Sequence, residues 1–62
     1  MNDQQKNATF AAMRRYGGGF ATALAQTWFV ADPYNRETIE NNWPDLVHEF
    51  REIAIGRGEM PQ

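Results

Sequence analysis

The run Arg14-Arg15-Tyr16-Gly17-Gly18-Gly19-Phe20 holds the residues of this chain best suited to binding chemistry. It joins two guanidiniums, an aromatic ring and three residues without side chains, between two segments of helical pattern. A helix stop needs one glycine, or two, so three expose more backbone than a cap requires. Main-chain amides at the start of the following helix are able to hold an anion. Two readings compete. In the first, Arg14 and Arg15 are the cations of a last helical turn, Tyr16 packs into the core, and the glycines make a tight reversal. In the second, Arg14 and Arg15 grip phosphate oxygens, Gly17, Gly18 and Gly19 admit the phosphate to the backbone, and Tyr16 stacks a base. The spacing and lysine of a Walker loop are absent, and no strand precedes the glycines as a dinucleotide fingerprint requires.

A smaller polar set, Tyr34-Asn35-Arg36, follows Asp32-Pro33. Tyr34 and Arg36 offer a ring and a guanidinium to a nucleobase edge and its phosphate, or they decorate an exposed first helical turn. Trp28-Phe29-Val30 and Trp43 invite a stacking pocket, but a hydrophobic core with an oligomer contact accounts for them better. Catalysis finds little support. There is no serine or cysteine to act as nucleophile, and Thr9, Thr22, Thr27 and Thr38 have no histidine nearby in sequence. His48 with Glu49 and Glu52 reads as one solvated helix face, and Glu37 with Glu40 as another. The chain is read as a non-enzyme. One histidine and no cysteine make a zinc site implausible within one chain, and no cofactor is expected.

The elements that would position these residues are helical. Asn2 or Asp3 caps a first helix bearing Phe10, Ala11, Met13 and Tyr16, which the glycine triplet stops. A second helix runs from Gly18 or Gly19 to Ala31, with Phe20, Leu24, Trp28 and Ala31 on its inner face and apolar character around much of its circumference, which marks it as central. Asp32 at the N-cap and Pro33 at the first helical position start a third helix, to about Asn41, burying Ile39. Pro44 disfavours helical angles at Trp43 and opens a fourth helix, with Leu46, Val47, Phe50, Ile53 and Ala54 as its stripe and Gly56 as its stop. The expectation is an all-α, compact bundle of three to four short helices, a single domain over residues 1–55, with 56–62 as a flexible C-terminal tail.

Sixty-two residues bury only about 60% of the surface an unfolded chain exposes, which leaves such a domain marginal alone. Without disulfides or a metal, self-association is the remaining source of stability, and four phenylalanines, two tryptophans and two tyrosines are difficult to cover in so small a fold. A homo-oligomer is expected. Residues 1–31 carry Lys6, Arg14 and Arg15 against Asp3, whereas Arg36, Arg51 and Arg57 in the second half face seven carboxylates. That distribution offers no basic stripe for duplex DNA. No apolar run approaches the ~20 residues of a membrane span. The polar start does not resemble a secretory signal, so cytoplasmic residence is expected.

The pattern Phe10-x2-Met13-Arg14-Arg15-Tyr16-Gly17-Gly18, Phe20-x2-Ala23-Leu24, Trp28-x2-Ala31-Asp32, Asn35, Ile39 and Trp43-Pro44 resembles a group of very small proteins of tailed bacteriophages, over residues 10–46. The resemblance implies a phage origin, a compact helical fold and residence in the host cytoplasm. Phages use comparably small oligomers to blunt host immunity, some by sequestering cyclic oligonucleotide or ADP-ribose-type signals. By that analogy the leading expectation is a sponge for a phosphate-bearing nucleotide, held by Arg14, Arg15, Tyr16 and Gly17 to Gly19. The alternative is a small interaction module that inhibits a host defence protein through an exposed aromatic patch and the acidic helices near the C-terminus.

Overall fold

Each helix begins and ends where local chemistry dictates. In the computed structural model, which describes residues 1–62, the fold is all-α, with four helices in the order α1 (Asp3–Tyr16), α2 (Gly19–Val30), α3 (Pro33–Asn42) and α4 (Pro44–Gly56). A reciprocal capping box starts α1: the Gln5 amide donates to Asn2 Oδ1 at 2.8 Å, and the Asn2 amide donates to Gln5 Oε1 at 3.1 Å. Asp32 Oδ1 accepts from the Asn35 amide at the start of α3, with Pro33 in the first turn. Trp43 belongs to both helices. Its amide donates to Ile39 O and its carbonyl accepts from Val47, while φ −129° and ψ 55° turn the chain between them. The restriction imposed by Pro44 is thus visible in the backbone.

The end of α4 differs from the sequence expectation. Gly56 lies within the helix, and the stop is Gly58, the one residue with positive φ (72°). The Gly58 amide donates to Ile55 O and the Glu59 amide to Ala54 O, the paired bonds of a Schellman motif. The residues after Gly56 make contacts with α1. Tyr16 Oη donates to Glu59 Oε2 at 2.6 Å, the Arg57 guanidinium sits 3.9 Å from the Tyr16 ring centre, and Gln5 Nε2 donates to Pro61 O.

The core also rearranges one expectation. The centre of the bundle is α1, which packs against both α2 and α4, while α3 closes the remaining side. Thr9, Phe10, Ala12 and Met13 are its buried stripe. On α2 the buried row is Ala21, Ala25 and Trp28, so the inner face is turned one residue from the expected Phe20–Leu24–Trp28 line. Small side chains let the α1 and α2 backbones approach, and the larger Phe20 ring is displaced outward. Phe10 stacks on Trp28 with ring centres 4.2 Å apart and planes 4° from parallel. Met13, Ile39, Val47 and Phe50 complete the core. No helix is long and apolar enough to cross a membrane.

The two glycines near the end of α4 separate helix propensity from turn geometry. Gly56→Ala should stabilise by about 0.5–1 kcal/mol, because alanine suits a helix interior and nothing crowds the site. Gly58→Ala should destabilise by about 1 kcal/mol, because its φ is costly for any residue with a Cβ. Thermal melts followed by far-UV circular dichroism should therefore move in opposite directions by several degrees. Shifts of the same sign would contradict the assigned stop.

Candidate functional site

The turn between α1 and α2 is built from unequal glycines. A Cβ on Gly17 would lie 2.5 Å from Met13 O and 2.6 Å from Ala21 Cβ, with the Phe50 ring at 3.2 Å, so Gly17 is required for the helices to close. Its amide donates to Met13 O, and Thr22 Oγ1 donates to Gly17 O at 3.2 Å, tying the end of α1 to the first turn of α2. Nothing lies near Gly18 or Gly19, and neither has positive φ. No part of the fold demands glycine at these two positions. Gly18 is the N-cap of α2 and offers no side-chain acceptor, and no acidic residue occupies the first turn. The positive end of α2 is therefore open to solvent, with its leading amides lacking the partner a cap would supply.

The candidate residues do not converge on that end. The Arg14 guanidinium lies 4.5 Å from the centre of the Phe29 ring, toward the far end of α2. Arg15 extends over Tyr16 at 5.6 Å, and Tyr16 is already engaged by Arg57 and Glu59. Neither Arg14 nor Arg15 is in an ion pair with a carboxylate: the three such contacts are Lys6–Glu40, His48–Glu52 and Arg51–Glu52. Arg36 donates from Nε to Trp28 O (2.9 Å) and from Nη2 to Phe29 O (3.0 Å), and its guanidinium packs 4.2 Å from the Trp28 ring centre. It caps the carboxyl end of α2. Tyr34, 76% exposed in the first turn of α3, stands near that same end. A 12-residue helix is about 18 Å long, so Tyr34 and Arg36 are separated from Gly18–Phe20 by roughly that distance.

What sequence reasoning missed is an aromatic ledge beside the open turn. Phe20 is 61% exposed and Trp43 39% exposed, with ring centres 5.9 Å apart and planes inclined at 58°. The rings border a shallow groove of about 400 Å³ that continues onto Pro44 and Leu46 and is rimmed by Asp45 and Glu49. Reading Phe20 with Leu24 and Trp28 as an inner row hid it. The competing row Ala21–Ala25–Trp28 has the same helical spacing, and its small residues were the available signal.

A second cavity, of about 410 Å³, lies between α1 and α3. Along it Lys6 Nζ meets Glu40 Oε1 at 2.9 Å, and Glu40 Oε2 accepts from Trp28 Nε1 at 2.9 Å. These contacts bridge the three helices, so their polar atoms already have partners. His48 approaches only Glu52, at 3.8 Å on an exposed face. No three acidic or histidine side chains come together as a metal site. Comparison with protein-family models, curated proteins and solved structures finds no match to this chain.

The inequality of the glycines can be measured. Gly17→Ala should destabilise by about 1–3 kcal/mol, since backbone and Ala21 must move apart. Gly18→Ser supplies the missing cap and should stabilise by a few tenths of a kcal/mol up to about 1 kcal/mol. Urea titrations of both variants test this, and a destabilising Gly18→Ser would show that the leading amides of α2 are not free.

Proposed function

We propose that the chain is a non-enzymatic binding protein that works by occupying a protein surface, with the Phe20–Trp43 ledge as its contact. In the phage setting that the sequence resembles, the target is a host defence protein in the cytoplasm. One observation carries this reading: the fold closes its core without Phe20 and leaves that ring mostly exposed beside Trp43. Exposed paired aromatics next to half-buried aliphatic surface are the composition of a docking hot spot. Asp45 and Glu49 at the rim set its sign. They disfavour a phosphate ligand and favour a partner whose apolar anchor is flanked by basic groups.

Capture of a phosphate-bearing nucleotide is the second reading. The open amides at Gly18 and Gly19 and the unpaired guanidinium of Arg15 favour it. The packing of Arg14 on the Phe29 ring and the acidic rim weigh against it.

Native mass spectrometry of the protein recovered from host cells tests both. For surface docking, Phe20→Ser should cost about 2 kcal/mol or more of partner binding while helix content is retained, and Arg14→Ala with Arg15→Ala should leave the complex intact. A partner that tolerates Phe20→Ser would remove the docking proposal. A retained nucleotide, lost on Arg15→Ala and kept on Phe20→Ser, would establish the second reading instead.

A further inference from the structure

Two rings of this chain are held by the same three-part arrangement. Trp28 has the Arg36 guanidinium 4.2 Å from its ring centre and gives its N–H to Glu40. Tyr16 has Arg57 at 3.9 Å and gives its hydroxyl proton to Glu59. Each ring thus meets one guanidinium and one carboxylate. The ledge holds the other members of such a set without the cation. Phe20 and Trp43 share their groove with Asp45 and Glu49, the only charged residues that line it. Neither carboxylate is in an ion pair. They stand four residues apart on α4, where like charges repel, and both are left exposed. Aromatic faces are also negative, so rings and carboxylates select a ligand of the same sign.

We propose that the groove takes an arginine side chain of another protein, its guanidinium against the Phe20 and Trp43 rings and its N–H edge toward Asp45 and Glu49. Apolar residues beside that arginine rest on Pro44 and Leu46. Arginine suits the site better than lysine, because a planar guanidinium covers a ring while its edge still donates to carboxylates. Phosphate and nucleic acid are repelled by the acidic pair. A second copy of the chain is disfavoured as well. Its ledge would bring the same two negative charges, and its own arginines are engaged, four on rings and Arg51 with Glu52 at 3.6 Å. The arginine site rests on reading the ledge as a docking surface and names the side chain that surface receives.

The probe is a capped leucine–arginine–leucine tripeptide, titrated into the full chain and followed by NMR of the indole N–H signals. Trp43 reports the groove, whereas Trp28, buried and bonded to Glu40, reports the intact core. Trp43 should shift with a dissociation constant on the order of 1–10 mM while Trp28 stays in place. Citrulline in place of the probe's arginine keeps the shape without the charge and should weaken binding about tenfold; lysine should weaken it about threefold. Phe20→Ser, and separately Asp45→Asn combined with Glu49→Gln, should each weaken binding at least about fivefold. Inorganic phosphate should leave Trp43 unmoved.

No Trp43 shift up to about 50 mM tripeptide, well above the expected constant, overturns the arginine site. Equal affinity for the citrulline or lysine probe does so too, as does indifference to the double carboxylate change. A Trp43 signal that moves with protein concentration alone would identify a second copy as the occupant and overturn it equally. The docking proposal fails separately. Tripeptide binding as described, with a host partner that tolerates Phe20→Ser, would leave the arginine site standing and remove that proposal. A host partner lost on Phe20→Ser but kept on the double carboxylate change would do the reverse.

Discussion

The contact on which the rest of this bundle depends is the parallel stack of Phe10 on Trp28. With ring centres 4.2 Å apart, it joins the middle of α1 to the last turn of α2. The same indole is packed by the Arg36 guanidinium from α3 and donates its N–H to Glu40, also from α3. Lys6 then returns the connection to α1. One side chain thus holds three helices through dispersion, a cation on its ring and a charge-assisted hydrogen bond. In a chain with 11 buried residues, such concentration is what substitutes for a larger interior. Truncating either ring would cost about 3–5 kcal/mol, comparable to the whole stability of a small domain.

The stack also accounts for the exposed ledge. Aligning Trp28 against Phe10 puts Ala21 and Ala25 between the helix axes, where only small residues and the bare Gly17 fit. The rotation that buries this row turns Phe20 out by one position, toward Trp43 at the α3–α4 corner. Exposure of the aromatic pair is therefore a consequence of close packing elsewhere. It is this exposure, more than any constellation of polar groups, that supports a binding role.

Much of the architecture was legible from residues acting locally. Asp32-Pro33 and Trp43-Pro44 marked helix starts that the structure reproduces, and of the two caps open for the first helix, Asn2 or Asp3, it uses Asn2, because caps and prolines act within a few bonds. Three features were not legible. Gly56 and Gly58 are equivalent stops on paper, and only the return of Glu59 to Ala54 selects the second. The face of α2 depends on which row best fits a neighbour, which helical periodicity alone leaves open. Arg36 illustrates the limit at the candidate site: its spacing after Asp32-Pro33 suggested a ligand contact, yet its guanidinium instead takes the carbonyls of Trp28 and Phe29 at the end of α2. Arg14 and Arg15 diverge for a similar reason, since consecutive helical positions point about 100° apart and each finds its own ring.

The docking of the last residues along α1 has a topological consequence. Pro61 rests on Gln5, and Met1 Sδ accepts from the Thr9 hydroxyl, so the beginning and end of the chain emerge on neighbouring ground. A short flexible linker could join them into a closed ring without crossing the core, and new ends could then be opened at another surface bend. Closure would deny the unfolded state much of its freedom while leaving the native contacts as they are.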